Sequence, residues 1–228
     1  ISGNKQELLE ASKTKYYPVT LSEVLSCITD LEGKVAIVGV ACFIKAIRLA
    51  QFEDPILKEK IPFLIGIICG GVKSRFFTEY LSEKAGIPKE LFYKPEFRVK
   101  GEKGDAGDFS FSSVNTKNNQ KKVIKMRTVG DMWGTGFFKA NACDYCDDVT
   151  TELADISLGD AWIEPYVNDS KGTNVVITRS SIATEIIQDG IQKGKITLDT
   201  LSTDSLIASQ QGSFNHRHKG LEYRIIDY

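Results

Sequence analysis

The chain has 228 residues, 42% of them hydrophobic and 26% charged, with a formal net charge of −1. That length suits one large domain or two small ones with a core that needs no staples. The near-neutral charge excludes a basic field for nucleic acid or an anionic membrane, and "IPFLIGIICGGV" falls short of the roughly 18 apolar residues of a membrane span.

The amino end shows no secretory signal, which predicts a cytoplasmic protein, and no initiating Met, which fits a fragment of something longer. Five cysteines in such a chain point to metal or redox thiols rather than a disulfide framework.

In chain order, "VTLSEVLSCITDLEGK" predicts an amphipathic helix. Thr20 and Glu23 have capping-box spacing, Leu21, Val24, Leu25 and Ile28 form an apolar face, and Gly33 is the stop. Cys27 within it reads as a small hydrophobe. "KVAIVGVAC" and "IPFLIGIIC" read as strands apolar on both sides, each followed by a helix, "FIKAIRLAQF" and "SRFFTEYLSEKAG". The predicted fold class is therefore α/β, a largely parallel or mixed sheet with helices on both faces. In such sheets ligands gather at the carboxyl ends of the strands, where Cys42 and Cys69 fall.

From Phe97 to Arg127, "FRVKG", "DFSFSSV" and "KKVIKMR" are separated by the turn stretches "EKGDAG" and "NTKNNQ". They predict an antiparallel meander that projects from the sheet, either as a bare hairpin or as a lid. The expected organisation is a first part of the α/β core over 1–96, a β-meander insertion over 97–127, and a C-x-x-C segment completing the core over 128–228. "NVVITR" reads as a further strand and "SIATEIIQDGIQKG" as a helix. "TLDTLSTDSLIASQQG" reads as a short strand and a helix, and "SFNHRHKG", with His216 and His218, as a solvated tail.

Cys143 and Cys146 form a C-x-x-C flanked by Asp144, Asp147 and Asp148. The pair precedes a strand and lies among acids, so disulfide exchange of the thioredoxin kind fits poorly. With Cys42 and Cys69 it makes four thiolates, a set for tetrahedral zinc or for one cubane iron–sulfur cluster. Two ligands coming singly from strand ends favour the cluster over a zinc ribbon. The aspartates fit a solvated turn or a charge that lowers a cluster's potential.

Four stretches together resemble the carboxy-terminal region of the coenzyme F-420 hydrogenase/dehydrogenase beta subunit family of iron–sulfur flavoproteins. "KTKYYPV" matches at Lys15 and Tyr16, with Thr14 for serine, and "VAIVGVACFIKAIRL" matches at Gly39 and Cys42, with Ala41 and Phe43 departing from the pattern. "LIGIICGG" matches at Cys69. "ACDYCDDVTTELADISLGDAW" matches at Cys143, Cys146, Ala154, Asp155, Ile156 and Gly159. The resemblance implies an oxidoreductase whose cysteines Cys42, Cys69, Cys143 and Cys146 hold a 4Fe–4S cluster beside a bound flavin, FAD. It further implies flavin contacts at Thr14, Lys15, Tyr16 and Gly39, a redox partner protein or partner subunit, and a small-molecule electron donor or acceptor. Lys15 would place a cation near the flavin phosphate or its reduced ring, while Tyr16 suits either the ring or an aromatic core. The alternative is a non-catalytic domain with a structural four-cysteine zinc site, acting as a relay or scaffold.

Overall fold

The computed structural model describes residues 1–12, 14–101 and 104–226. Lys13 of the first motif and Glu102 and Lys103 of the predicted turn lie outside the described residues. The first half runs α1 (Lys5–Ala11), α2 (Ser22–Cys27), β1 (Ala36–Val40), α3 (Ala41–Glu53), α4 (Pro55–Lys60), β2 (Phe63–Ile67) and α5 (Arg75–Lys84). Then come β3 (Phe92–Lys100), β4 (Phe109–Asn115), β5 (Lys121–Lys125), β6 (Ile156–Asp160) and β7 (Asn174–Thr178). The chain closes with α6 (Ser181–Gln192), α7 (Thr203–Ser209), α8 (Gln211–Phe214), a π-helical turn (Asn215–Lys219) and α9 (Gly220–Ile226). Among the described residues, no helix is long and apolar enough to cross a membrane.

The chain forms two compact units that interleave in sequence. The first unit comprises Ile1–Thr20, Gly71–Cys143 and Glu164–Gly172; the second comprises Leu21–Gly70, Asp144–Ile163 and Thr173–Tyr228.

The second unit holds a four-stranded sheet in the order β1-β2-β6-β7. β1, β2 and β6 run parallel, and β7 is antiparallel to β6. This is the mixed α/β fold expected. α3 buries Ile44 and Ile47, three residues apart, in a cluster with Ile28, Ile37, Ile61 and Leu64. Each such fully buried side chain contributes roughly 1.5–3 kcal/mol. One expectation fails: β1 and β2 alternate rather than being covered on both sides, with Val38 53% and Ile67 44% exposed. α2 starts at Ser22, with Leu21 as its N-cap. The helix tightens into a 3-10 turn at Ile28–Asp30 before Gly33, φ +70°. No strand forms at residues 197–201. The leucines there, Leu198 and Leu201, lie three apart and so cannot share the face of a strand.

The first unit holds the antiparallel sheet β3-β4-β5. The meander starts five residues before the predicted boundary and has a core of its own. Phe97 and Phe111 pack with Phe77 and Leu81 of α5, and Tyr16 joins them. Its polar composition hides satisfied serines: Ser112 donates to Glu96 (2.9 Å) and Ser113 to the Tyr93 carbonyl (3.3 Å), both fully buried.

Candidate functional site

The register of two parallel strands positions the first two cysteines. Val40, the last residue of β1, pairs with Ile67, the last of β2. Cys42 and Cys69 each follow by two residues, so both stand at the carboxyl ends of neighbouring strands. Cys42 lies exposed in the first turn of the thirteen-residue α3. Cys69 is buried, and its N–H donates to the Val149 carbonyl at 3.3 Å. The stretch just after the C-x-x-C therefore runs back beside Cys69 before it enters β6.

Two glycines permit this approach. A Cβ on Gly159 would stand 2.6 Å from Ile68 Cβ, and one on Gly66 would meet Thr151, Ala154 and Ser157 within 2.8 Å. Asp155 explains the Ala-Asp-Ile element structurally. Its Oδ2 accepts from the Leu64 N–H (2.8 Å) and from Arg48 Nη2 (3.0 Å), joining β2, β6 and α3. Behind the pair, Arg179 donates to Thr150 Oγ1 (3.0 Å) and Ser157 Oγ (2.7 Å), and burial lowers the pKa of its guanidinium.

Cys143 and Cys146 lie on and just after the 3-10 turn Asn141–Tyr145. Cys143 Sγ, in the first unit, accepts from the Val72 N–H at 3.3 Å. The adjoining Lys73 is only 1% exposed, and sequence reasoning passed over it. Its ammonium donates to the Met132 and Phe137 carbonyls, both at 2.6 Å, and stands 4.4 Å from the Trp133 ring centroid. Burial, reinforced by Lys139, pushes its pKa down to about 8.

The chain's last stretch overturns the solvated-tail expectation. His216 Nε2 meets Asp144 Oδ1 at 3.2 Å, and His218 Nε2 is 2.9 Å from the Asp147 carbonyl. Arg224 donates to the Asp144 carbonyl (2.7 Å), and Arg217, 2% exposed, donates to Cys146 Sγ at 2.8 Å. The run "NHRHK" thus docks on the C-x-x-C stretch, His216 at a carboxylate and Arg217 and His218 at a sulfur and backbone carbonyls, all within the second unit. The only trace of this in the sequence is a run of basic residues far from a run of acids. Cys27 lies apart from these contacts, with its thiol directed to the Val24 carbonyl (3.4 Å).

Of the flavin candidates, Lys15 is exposed and borders a groove of about 790 Å³ with Tyr17, Lys94 and Lys121. Thr14 is half-buried. Tyr16 makes edge contacts with Phe77, Phe97 and Trp133, at 6.2, 5.4 and 4.9 Å between centroids, which is the aromatic-core alternative. Gly39 lets α3 sit close, because a Cβ there would lie 3.1 Å from Phe43 Cβ.

The donor set suits an iron–sulfur centre in its chemistry. All four are thiols outside any disulfide, and Cys143 and Cys146 already receive hydrogen bonds at sulfur. Among the described residues, no three His, Cys, Asp or Glu side chains gather into a group that could hold a metal ion.

Residues 32–204 match the family model for the carboxy terminus of the coenzyme F420 hydrogenase/dehydrogenase beta subunit. The coenzyme F420 hydrogenase subunit beta of Methanococcus voltae is 26% identical, over 97% of this chain and 77% of its own length. The coenzyme F420-dependent sulfite reductase of Methanocaldococcus jannaschii is 28% identical over 80% of this chain but only 28% of itself. The hydrogenase subunit beta of Methanothermobacter thermautotrophicus is 28% identical over 71% of this chain and 50% of itself. In fold, the chain is similar to one in the F420-reducing NiFe hydrogenase complex of Methanosarcina barkeri. The TM-score is 0.63 at 20% identity, covering 96% of this chain and 72% of that one.

Proposed function

The chain belongs to the coenzyme F420 hydrogenase/dehydrogenase beta subunit family, and from that premise we propose that it is the electron-transfer portion of an iron–sulfur flavoprotein oxidoreductase. Electrons would pass between a two-electron donor, FAD and a 4Fe–4S cluster held by Cys42, Cys69, Cys143 and Cys146. The observation that carries this reading is the β1–β2 register, which leaves two thiols at adjacent strand ends with the C-x-x-C segment returning beside one of them. A flavin supplies the exchange between two-electron and one-electron chemistry, and the cluster carries single electrons.

The protein's own residues supply charge and position. Lys15 offers a cation to a flavin phosphate at the groove it borders. Arg217 and the Val72 N–H donate to ligand sulfurs. The relatives named as subunits support a partner subunit for this chain, and their names make coenzyme F420 the first two-electron donor to assay. A cytoplasmic setting, which keeps thiols reduced, suits the four-cysteine set.

Purification without oxygen tests the reading. A brown protein with iron and sulfide in equal amounts, releasing FAD on denaturation, is expected. Colourless protein carrying zinc would overturn it in favour of a structural metal site.

A further inference from the structure

Arg217 is the largest fully buried side chain among the described residues, and its hydrogen bonding is unusual. Nη1 donates to Cys146 Sγ at 2.8 Å and closely to the Asp148 carbonyl, while Nε is buried with no hydrogen-bond partner. Burying a guanidinium costs several kcal/mol unless its partners compensate, and the usual partner is a carboxylate. Asp147, Asp148 and Glu152 line the same groove of about 460 Å³ as Arg217, yet its acceptors are a sulfur and a peptide oxygen. A clamp for the loop alone would need neither the sulfur contact nor the positive charge.

We propose that Arg217 sets the reduction potential of the centre bound through Cys146, acting as a positioning residue through that sulfur. The inference rests on the four-cysteine reading. Charge added by one-electron reduction spreads onto ligand sulfurs, and hydrogen bonds to sulfur together with net local charge set the potential. Asp144, Asp147 and Asp148 disfavour the added electron, whereas a cation donating directly to Cys146 favours it. Arg217 therefore holds the potential above the value that the acids alone would give.

The test uses the full chain, reconstituted anaerobically with iron and sulfide, as wild type, Arg217→Gln and Arg217→Lys. Iron and sulfide content is measured first, then the midpoint by titration with dithionite and redox dyes, followed by electron paramagnetic resonance. Arg217→Gln is expected to keep the centre but lower its midpoint. At the wild-type midpoint its reduced-to-oxidised ratio falls about tenfold, equivalent to about 59 mV for one electron. Arg217→Lys, which keeps the charge without the fork, falls between the two. An unchanged midpoint in a loaded Arg217→Gln protein, whatever its melting temperature, overturns the inference and leaves the four-cysteine reading standing. A wild type that takes up no iron overturns both. Should the Gln variant not load, Arg217→Lys decides: a fall of about threefold in that ratio supports the proposal, and a wild-type ratio overturns it.

Discussion

Lys73 shows what this chain does to keep a charge inside. Two carbonyls and two aromatic rings surround an ammonium that water does not reach, and its pKa falls to about 8 from the ordinary 10.5. The folded protein thus binds this proton less tightly than the unfolded chain does. Between about pH 8 and 10.5 the unfolded state carries the extra proton, so stability rises with pH across that window, by at most on the order of 3 kcal/mol. Lys73→Met should lose this rise and be less stable than wild type at neutral pH, because two carbonyls lose their donor. Urea unfolding of both proteins from pH 7 to 10.5 checks it, and parallel profiles would contradict it. Nothing in "GGVKSRF" marks that lysine as buried, since burial came from aromatics at Phe77 and Trp133 brought in by the fold. The cysteines were legible for the opposite reason. A thiol's chemistry is rare enough that count and spacing alone single it out.

At the scale of elements, Asp155 holds three together. Truncating it strips the Leu64 N–H of its acceptor and Arg48 of its carboxylate, leaving Arg48 its bonds to the Leu153 carbonyl and Gln51. Asp155→Ala should destabilise the fold by about 2–3 kcal/mol, and Asp155→Asn by less because an amide oxygen still accepts from Leu64. Thermal or urea unfolding reads both, and equal losses would mean the Leu64 bond carries no weight. Gly159→Ala, with a Cβ 2.6 Å from Ile68, should cost about 1–3 kcal/mol through overpacking, against no change if the strands simply part. The strands and helices of the parallel sheet were legible because long apolar runs alternate with helical periodicity. α4 was missed: it is six residues long, and its start at Asp54-Pro55 reads equally as a turn. The closing π-turn and α9 were missed because their anchors are polar: Arg217, His216 and Arg224 bind the acidic stretch through charge and carbonyls, which hydrophobic periodicity cannot register.

Across the whole molecule, two compact units draw on interleaved stretches of sequence, and the family match spans most of both. Long-range pairing of this kind is invisible to local pattern, which is why the packing of α5 against the meander was not anticipated. The sequence motifs map onto distinct tasks. Asp155 and Gly159 serve packing, Tyr16 an aromatic core, and the cysteines remain for chemistry. Four particular thiols, and not the fifth, are the ligands we propose for one iron–sulfur centre. The decisive measurement is iron and sulfide content after anaerobic reconstitution of five single variants, Cys42→Ser, Cys69→Ser, Cys143→Ser, Cys146→Ser and Cys27→Ser. The first four should lose most of their iron while Cys27→Ser, whose thiol faces the Val24 carbonyl, keeps the wild-type load. Full loading in any of the first four, or loss in Cys27→Ser alone, would contradict the assignment.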